Sequence, residues 1–168
     1  MADQKINKRR KTKEREKIKK LTAIIMVAAF LACGIAHAGT GTAKEAAALV
    51  DKAVAYYKAN GKDKAYPEFN NKNGQFVNKD LYVFVIDWNG TILAHGANEK
   101  LINKPTGDLK DADGKYFMRE MVKVAQTKGT GWVDYKWTNP VTKKIEQKSS
   151  YVKRVGNENL LIGCGIYK

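Results

Sequence analysis

The chain has 168 residues and a formal net charge of +14, from 31 Lys or Arg against 17 Asp or Glu. Only two cysteines (Cys33, Cys164) and two histidines (His37, His95) occur, which excludes a disulfide framework, a zinc cluster and a C-x-x-C-H haem site. The charge is unevenly distributed, and that asymmetry is the first element of the chain.

Residues 1–20 carry ten basic residues against three acidic ones, whereas 21–43 contain no charged residue. A basic segment abutting the apolar run LTAIIMVAAFLACGIA has the pattern of an export signal. Ala36-His37-Ala38 before Gly39 supplies an A-x-A cleavage site, which sets the boundary between residues 1–38 and a domain over 39–168. An uncleaved membrane anchor and lipidation at Cys33 are the alternatives, and all three place the folded part in the periplasm or otherwise outside the cytoplasm. The residues beyond 20 carry 21 basic and 14 acidic side chains, a net charge of +7. Their lysines are scattered as on a solvated face, with no basic stripe interleaved with aromatics, so no nucleic-acid partner is expected.

In the exported part, Thr42-Ala43-Lys44-Glu45 is a T-x-x-E capping box. Ala43, Ala46, Ala47, Val50, Ala53, Val54 and Tyr57 follow at helical spacing, and Asn60-Gly61 stops the helix. A short helical turn is expected next, with Pro67 near its start and Phe69 facing in. The period then changes to two. Leu81–Asp87 has the pattern of a strand covered on both faces, Trp88-Asn89-Gly90 of a tight turn, and Thr91–His95 of the return strand. Residues 96–113 form a loop. A second helix is expected over Lys115–Lys128, with Phe117, Met121, Val124 and Ala125 inward. Alternating strands over 131–137, 146–154 and 159–167 complete the order, and the short connections argue antiparallel pairing. The expectation is an α+β fold: a PAS-like five-stranded antiparallel sheet, with a long N-terminal helix and a second helix packed on it. Cys164, among Leu161, Ile162 and Ile166, has the setting of a small buried hydrophobe.

The order of these motifs resembles the single Cache domain, second type, the extracytoplasmic sensor domain of bacterial chemoreceptors and sensor kinases. The carriers are Tyr82–Asp87 with Asn89–His95, Asp111–Lys115 leading into Phe117–Glu120, Gly129–Trp137, Lys148–Lys153, and the closing Ile162-Gly163-Cys164-Gly165-Ile166-Tyr167. The likeness covers residues 42–168. It implies reversible binding of small extracellular molecules, frequently short carboxylic acids. Two departures stand out: Gly96 follows His95 where the family usually has Pro, and this sequence ends at Lys168 where typical members continue into a second membrane helix and a signalling module. A separate partner, a membrane receptor or kinase, is therefore expected.

A short carboxylate needs donors for its oxygens, an apolar wall, and a cation or oriented dipoles to offset desolvation. The candidate ligand-binding residues are Tyr82, Phe84, His95, Arg119, Tyr135, Trp137, Lys148 and Tyr151. Lys148 is the candidate partner of the carboxylate, with Arg119 as a second cation. Tyr135 and Trp137 share a strand face, as do Tyr82, Phe84 and Ile86. His95 is a donor expected to gain from protonation below its reference pKa of about 6.5. Tyr151 and Lys148 are three apart, so a bulge is required for both to reach one pocket. At a ceiling of roughly −1.5 kcal/mol per heavy atom, an acetate-sized ligand binds with no better than about −6 kcal/mol, a Kd of tens of micromolar.

No nucleophile elbow, paired-carboxylate motif or metal cluster is visible, so no catalysis, cofactor or metal is expected. Asp111-Ala112-Asp113-Gly114 superficially resembles a calcium loop but lacks the downstream Glu, and is better explained by turn and capping chemistry. The competing reading is a ligand-independent accessory subunit of a membrane complex. In either case the alanine-rich first helix offers a homodimer surface.

Overall fold

The structure, a computed structural model, describes residues 40–168. The signal or anchor segment, its cleavage site and Cys33 lie outside the described residues. Among those described, no helix is long and apolar enough to cross a membrane.

Helix α1 spans Ala43–Asn60 and opens on the expected capping box. Thr42 Oγ1 accepts from the Glu45 N–H at 3.2 Å, and the Glu45 carboxylate accepts from the Thr42 N–H at 2.8 Å. Ala46, Val50, Ala53, Val54 and Tyr57 form its buried stripe, and the Gly61 N–H closes it on the Tyr57 carbonyl. Helix α2, Lys62–Asn70, is longer than the single turn expected, and Pro67 lies within it rather than near its start. The missing Pro N–H costs little there, because the carbonyl it would have bonded belongs to solvent-exposed Asp63.

A two-residue strand β1 (Val77–Asn78), absent from the sequence reading, turns through Lys79-Asp80 into β2 (Leu81–Asp87). Strand β3 (Ile92–His95) returns against β2. The Asp87 carboxylate organises the turn between them, accepting from the N–H groups of Asn89 and Thr91 at 2.9 and 2.7 Å. A 3-10 turn at Glu99–Leu101 follows in the connecting loop. Helix α3 runs from Phe117 to Lys128 and buries Phe117, Met118, Met121, Val122 and Ala125. Val122, rather than Val124, completes its buried face. Asp111 has the expected turn role: its carboxylate accepts from the backbone of Asp113, Lys115 and Lys136. The last three strands are β4 (Thr130–Thr138), β5 (Ile145–Arg154) and β6 (Leu160–Tyr167).

The sheet has six strands rather than five, in the order β1-β2-β6-β5-β4, with β3 also pairing β2; every pairing is antiparallel. Strands β1 and β3 therefore share one edge of β2. Alternation gives the sheet two cores. Leu81, Val83 and Val85 of β2 with Ile162 and Cys164 of β6 pack under α1 and α2. Tyr82, Phe84 and Ile86 of β2 with Leu161 and Tyr167 of β6 pack under α3. Cys164 is fully buried as expected, and burial pushes its thiol up to about 12.

Candidate functional site

The α3 face of the sheet carries the candidate site. Tyr135 of β4 pairs with Lys148 of β5, which pairs with Tyr167 of β6, so three functional side chains lie in one cross-strand row. Room for Lys148 comes from Gly165 of β6, and room for Phe84 from Gly163. A Cβ on Gly165 would collide with Lys148 Cε and Ser150 Oγ, and one on Gly163 with the Phe84 ring. The closing G-x-G of the chain is thus a space requirement of the site face.

Lys148 is fully buried. Its ammonium donates to Tyr82 Oη at 2.6 Å and to Tyr167 Oη at 3.3 Å, and it sits 3.9 Å above the centre of the Tyr82 ring. Among the described residues no carboxylate lies within ion-pair distance of it. Burial lowers its pKa to about 7. Tyr167 donates its own proton to the Thr138 carbonyl at 3.0 Å. The Tyr82 phenol accepts from the ammonium, so its proton remains available to Tyr167 Oη, 3.3 Å away, or to an anion.

Beside this cluster lies a small chamber. Its walls are Tyr82, Phe84, Ile92 and His95 on one side, Tyr135 and Trp137 on another, and Met118 and Met121 of α3 above. Its cavity volume is about 10 Å³, room for one water at most. Tyr135 stacks on Phe117, with centroids 4.4 Å apart, and shares a 3.0 Å hydrogen bond with Ser150. Burial pushes the Tyr135 phenol well up, so it remains a neutral donor or acceptor.

Three expectations are corrected. His95 is not helped by protonation: burial first, then the Lys148 charge, lowers its pKa to about 3. Its Nδ1 accepts from the Ala97 and Asn98 N–H groups at 3.2 and 2.9 Å, so the neutral ring carries its proton on Nε2. Tyr151 does not join the cluster. Strand β5 pairs without a bulge, so Tyr151 faces the α1 core, where it packs against Trp132 at 5.4 Å. Arg119 is exposed on α3, bonded to Asp108 and the Gly107 carbonyl, on a separate groove of about 480 Å³.

Tyr82, Phe84, His95, Tyr135, Trp137 and Lys148 are brought together. Sequence reasoning missed Tyr167, Ser150, Met118 and Met121. Alternation along the last strand places Tyr167 on the face of Leu161, the one signal available for it. Gly96 has a local reason too: its N–H donates to the Val83 carbonyl at 2.9 Å, a bond that Pro would forfeit.

Comparison with known proteins agrees with this architecture. Residues 7–168 match the single Cache domain 2 family. A methyl-accepting chemotaxis protein, McpP of Pseudomonas putida, is 31% identical over 88 residues, covering 52% of this chain and 16% of its own length. The sensor histidine kinase MctS of Rhizobium johnstonii is 33% identical over 89 residues, covering 53% of this chain and 19% of its own. The matches thus span less than a fifth of these relatives. Among solved structures, a methyl-accepting chemotaxis protein from Vibrio parahaemolyticus superposes with a TM-score of 0.64 at 24% identity, covering 74% of this chain and 86% of that one. A Cache chemosensory domain described for carboxylic acid recognition superposes at 0.62 with 25% identity, covering 74% and 91%.

Proposed function

This chain belongs to the single Cache domain 2 family, and from that membership we propose that it is an extracytoplasmic sensory domain that binds a short carboxylic acid at Lys148 and Tyr82. The observation that carries this reading is a fully buried ammonium with phenols for partners and, among the described residues, no carboxylate in ion-pair range. A buried charge with no carboxylate in contact is costly; Asp80 acts on this one only from a distance, and a ligand carboxylate would supply the contact countercharge. The Tyr82 phenol, polarised by the ammonium it accepts from, donates to one carboxylate oxygen. The Nε2–H of neutral His95 and the Tyr135 phenol are further donors on the chamber wall. Trp137, Phe84 and Met121 receive the alkyl part. The role is ligand binding, the role of Cache sensor domains. Occupancy passes to a receptor or kinase module.

Isothermal titration of the full chain with acetate, propionate, amino acids and amines tests this. Short monocarboxylates are expected to bind with Kd values no tighter than tens of micromolar, and Lys148→Ala to abolish the heat. The near-filled chamber favours the rival reading, a ligand-independent accessory subunit. No heat with any acid, together with capture of a membrane partner equally by wild type and Lys148→Ala, would establish it.

A further inference from the structure

We propose that Met118 is the movable wall that sets how long an acid the site accepts, an inference that rests on the carboxylate-binding reading above. The chamber has room for one water at most. Acetate, with its two carbons and two oxygens, is larger than a single water. A wall must therefore move for any acid to enter.

The walls differ in how firmly they are held. Tyr82 is bonded to Lys148, Tyr135 to Ser150, and His95 to two backbone N–H groups. Met118 has only apolar packing to hold it, at 5% exposure, and its unbranched thioether chain changes rotamer readily. It is also the one side chain that lines both the chamber and the neighbouring groove of about 480 Å³. Met121, the other thioether of the chamber, does not border that groove. Displacing Met118 joins the two spaces.

An acid with its carboxylate at Lys148 then directs its tail past Met118, toward Val122 and Trp88 on the groove wall. Short acids need only a small displacement of Met118. Longer ones need it to leave its place altogether. Met118 is thus a specificity residue: it touches the ligand tail and leaves the carboxylate to the phenol and ammonium.

The test is a chain-length series of acetate, propionate, butyrate and hexanoate, titrated calorimetrically into the full chain. Wild type is expected to favour the two- or three-carbon acids and to lose at least tenfold in affinity by hexanoate. Met118→Ala removes three heavy atoms and should move the optimum by about three carbons. It should gain tenfold or more on hexanoate while acetate changes less than threefold. Met118→Val shortens the wall with less loss of volume, so it should shift the series the same way by a smaller step, and it serves if the alanine variant fails to fold. An unchanged chain-length profile in a folded variant that still binds acetate overturns the role of Met118 and leaves the site reading intact. If wild type binds none of the acids, the site reading fails and takes this inference with it.

Discussion

Lys148 is where energy and function oppose each other. Its folded pKa of about 7 lies below the ~10.4 of an unfolded lysine. Between those values the unfolded chain holds a proton that the folded chain has lost, so this residue's contribution to stability rises with pH across the window. Below pH 7 the cost of the buried charge is fully present. Replacing it with an apolar side chain of similar length should relieve that cost. Lys148→Met is expected to stabilise the protein at pH 6 by about 1–4 kcal/mol, read by urea denaturation, while losing the acetate-induced rise in melting temperature. A variant that is less stable and still binds would remove Lys148 from the site. Acid affinity follows the same group with the opposite slope. Above pH 7 the ammonium deprotonates, so the Kd for acetate should rise by up to tenfold per pH unit between pH 7 and pH 9. His95 acts in a separate window. With a folded pKa of about 3, its contribution to stability is lost as pH falls from about 6.5, which leaves the range above pH 7 clear for Lys148.

At the scale of elements, strand β6 decides whether a lysine fits beneath α3. Gly165 pairs with Ser150 and leaves the space that Lys148 Cε occupies. Gly165→Ala is expected to destabilise by about 1–3 kcal/mol through overpacking. Because the collision is with Lys148 and Ser150, a double-mutant cycle with Lys148→Ala should recover at least ~0.5 kcal/mol of that loss. Strict additivity of the two substitutions would place the collision elsewhere. This cross-strand dependence also marks the limit of what the sequence revealed. Helix α1 was legible because Thr42 and Glu45 announce its first turn and its apolar spacing persists to Tyr57. Strand β2 was legible because its apolar run stops at the turn chemistry of Asp87–Gly90. The two residues of β1 carry too little pattern to register. Alternation grouped Tyr82 with Phe84 and Tyr135 with Trp137, and it separated Tyr151 from Lys148. It said nothing of depth. Lys148, between Gln147 and Ser149, has the local sequence of a solvated residue, and the space for it comes from Gly165, seventeen positions later on another strand. Arg119 lies apart for a similar reason: its place at the start of the second helix made it a candidate second cation, but Asp108 and Gly107 hold it on the outer groove.

Over the whole molecule, the start of α1 and the end of β6 converge on the first residues of β2. Gly41, just before α1, donates its N–H to the Asp80 carboxylate at 2.6 Å, and a Cβ there would strike the Leu81 side chain. Lys79 pairs with Glu45 of the capping box at 2.8 Å. Three residues after Lys79, Tyr82 meets Lys148 and Tyr167. One hairpin thus grips the entry to the first helix and supplies the phenol that meets the buried ammonium. Asp80 is 4% exposed, and its second oxygen Oδ2 has no partner. Its hydrogen bond is to the Gly41 N–H, and its charge also acts on Lys148 from a distance. A buried hydrogen bond to a charged group contributes about 1.5–3 kcal/mol, so the Gly41 amide should be protected from hydrogen exchange although it precedes the helix. Asp80→Ala is expected to raise its exchange rate by at least about tenfold, while the amides of Val50 and Ala53, deep in α1, keep theirs. Asp80→Asn retains an acceptor for the Gly41 N–H and should preserve most of the protection. If wild-type Gly41 exchanges as fast as an unstructured residue, the hairpin does not grip the helix entry, and a route from the site to the start of α1 through Asp80 is excluded.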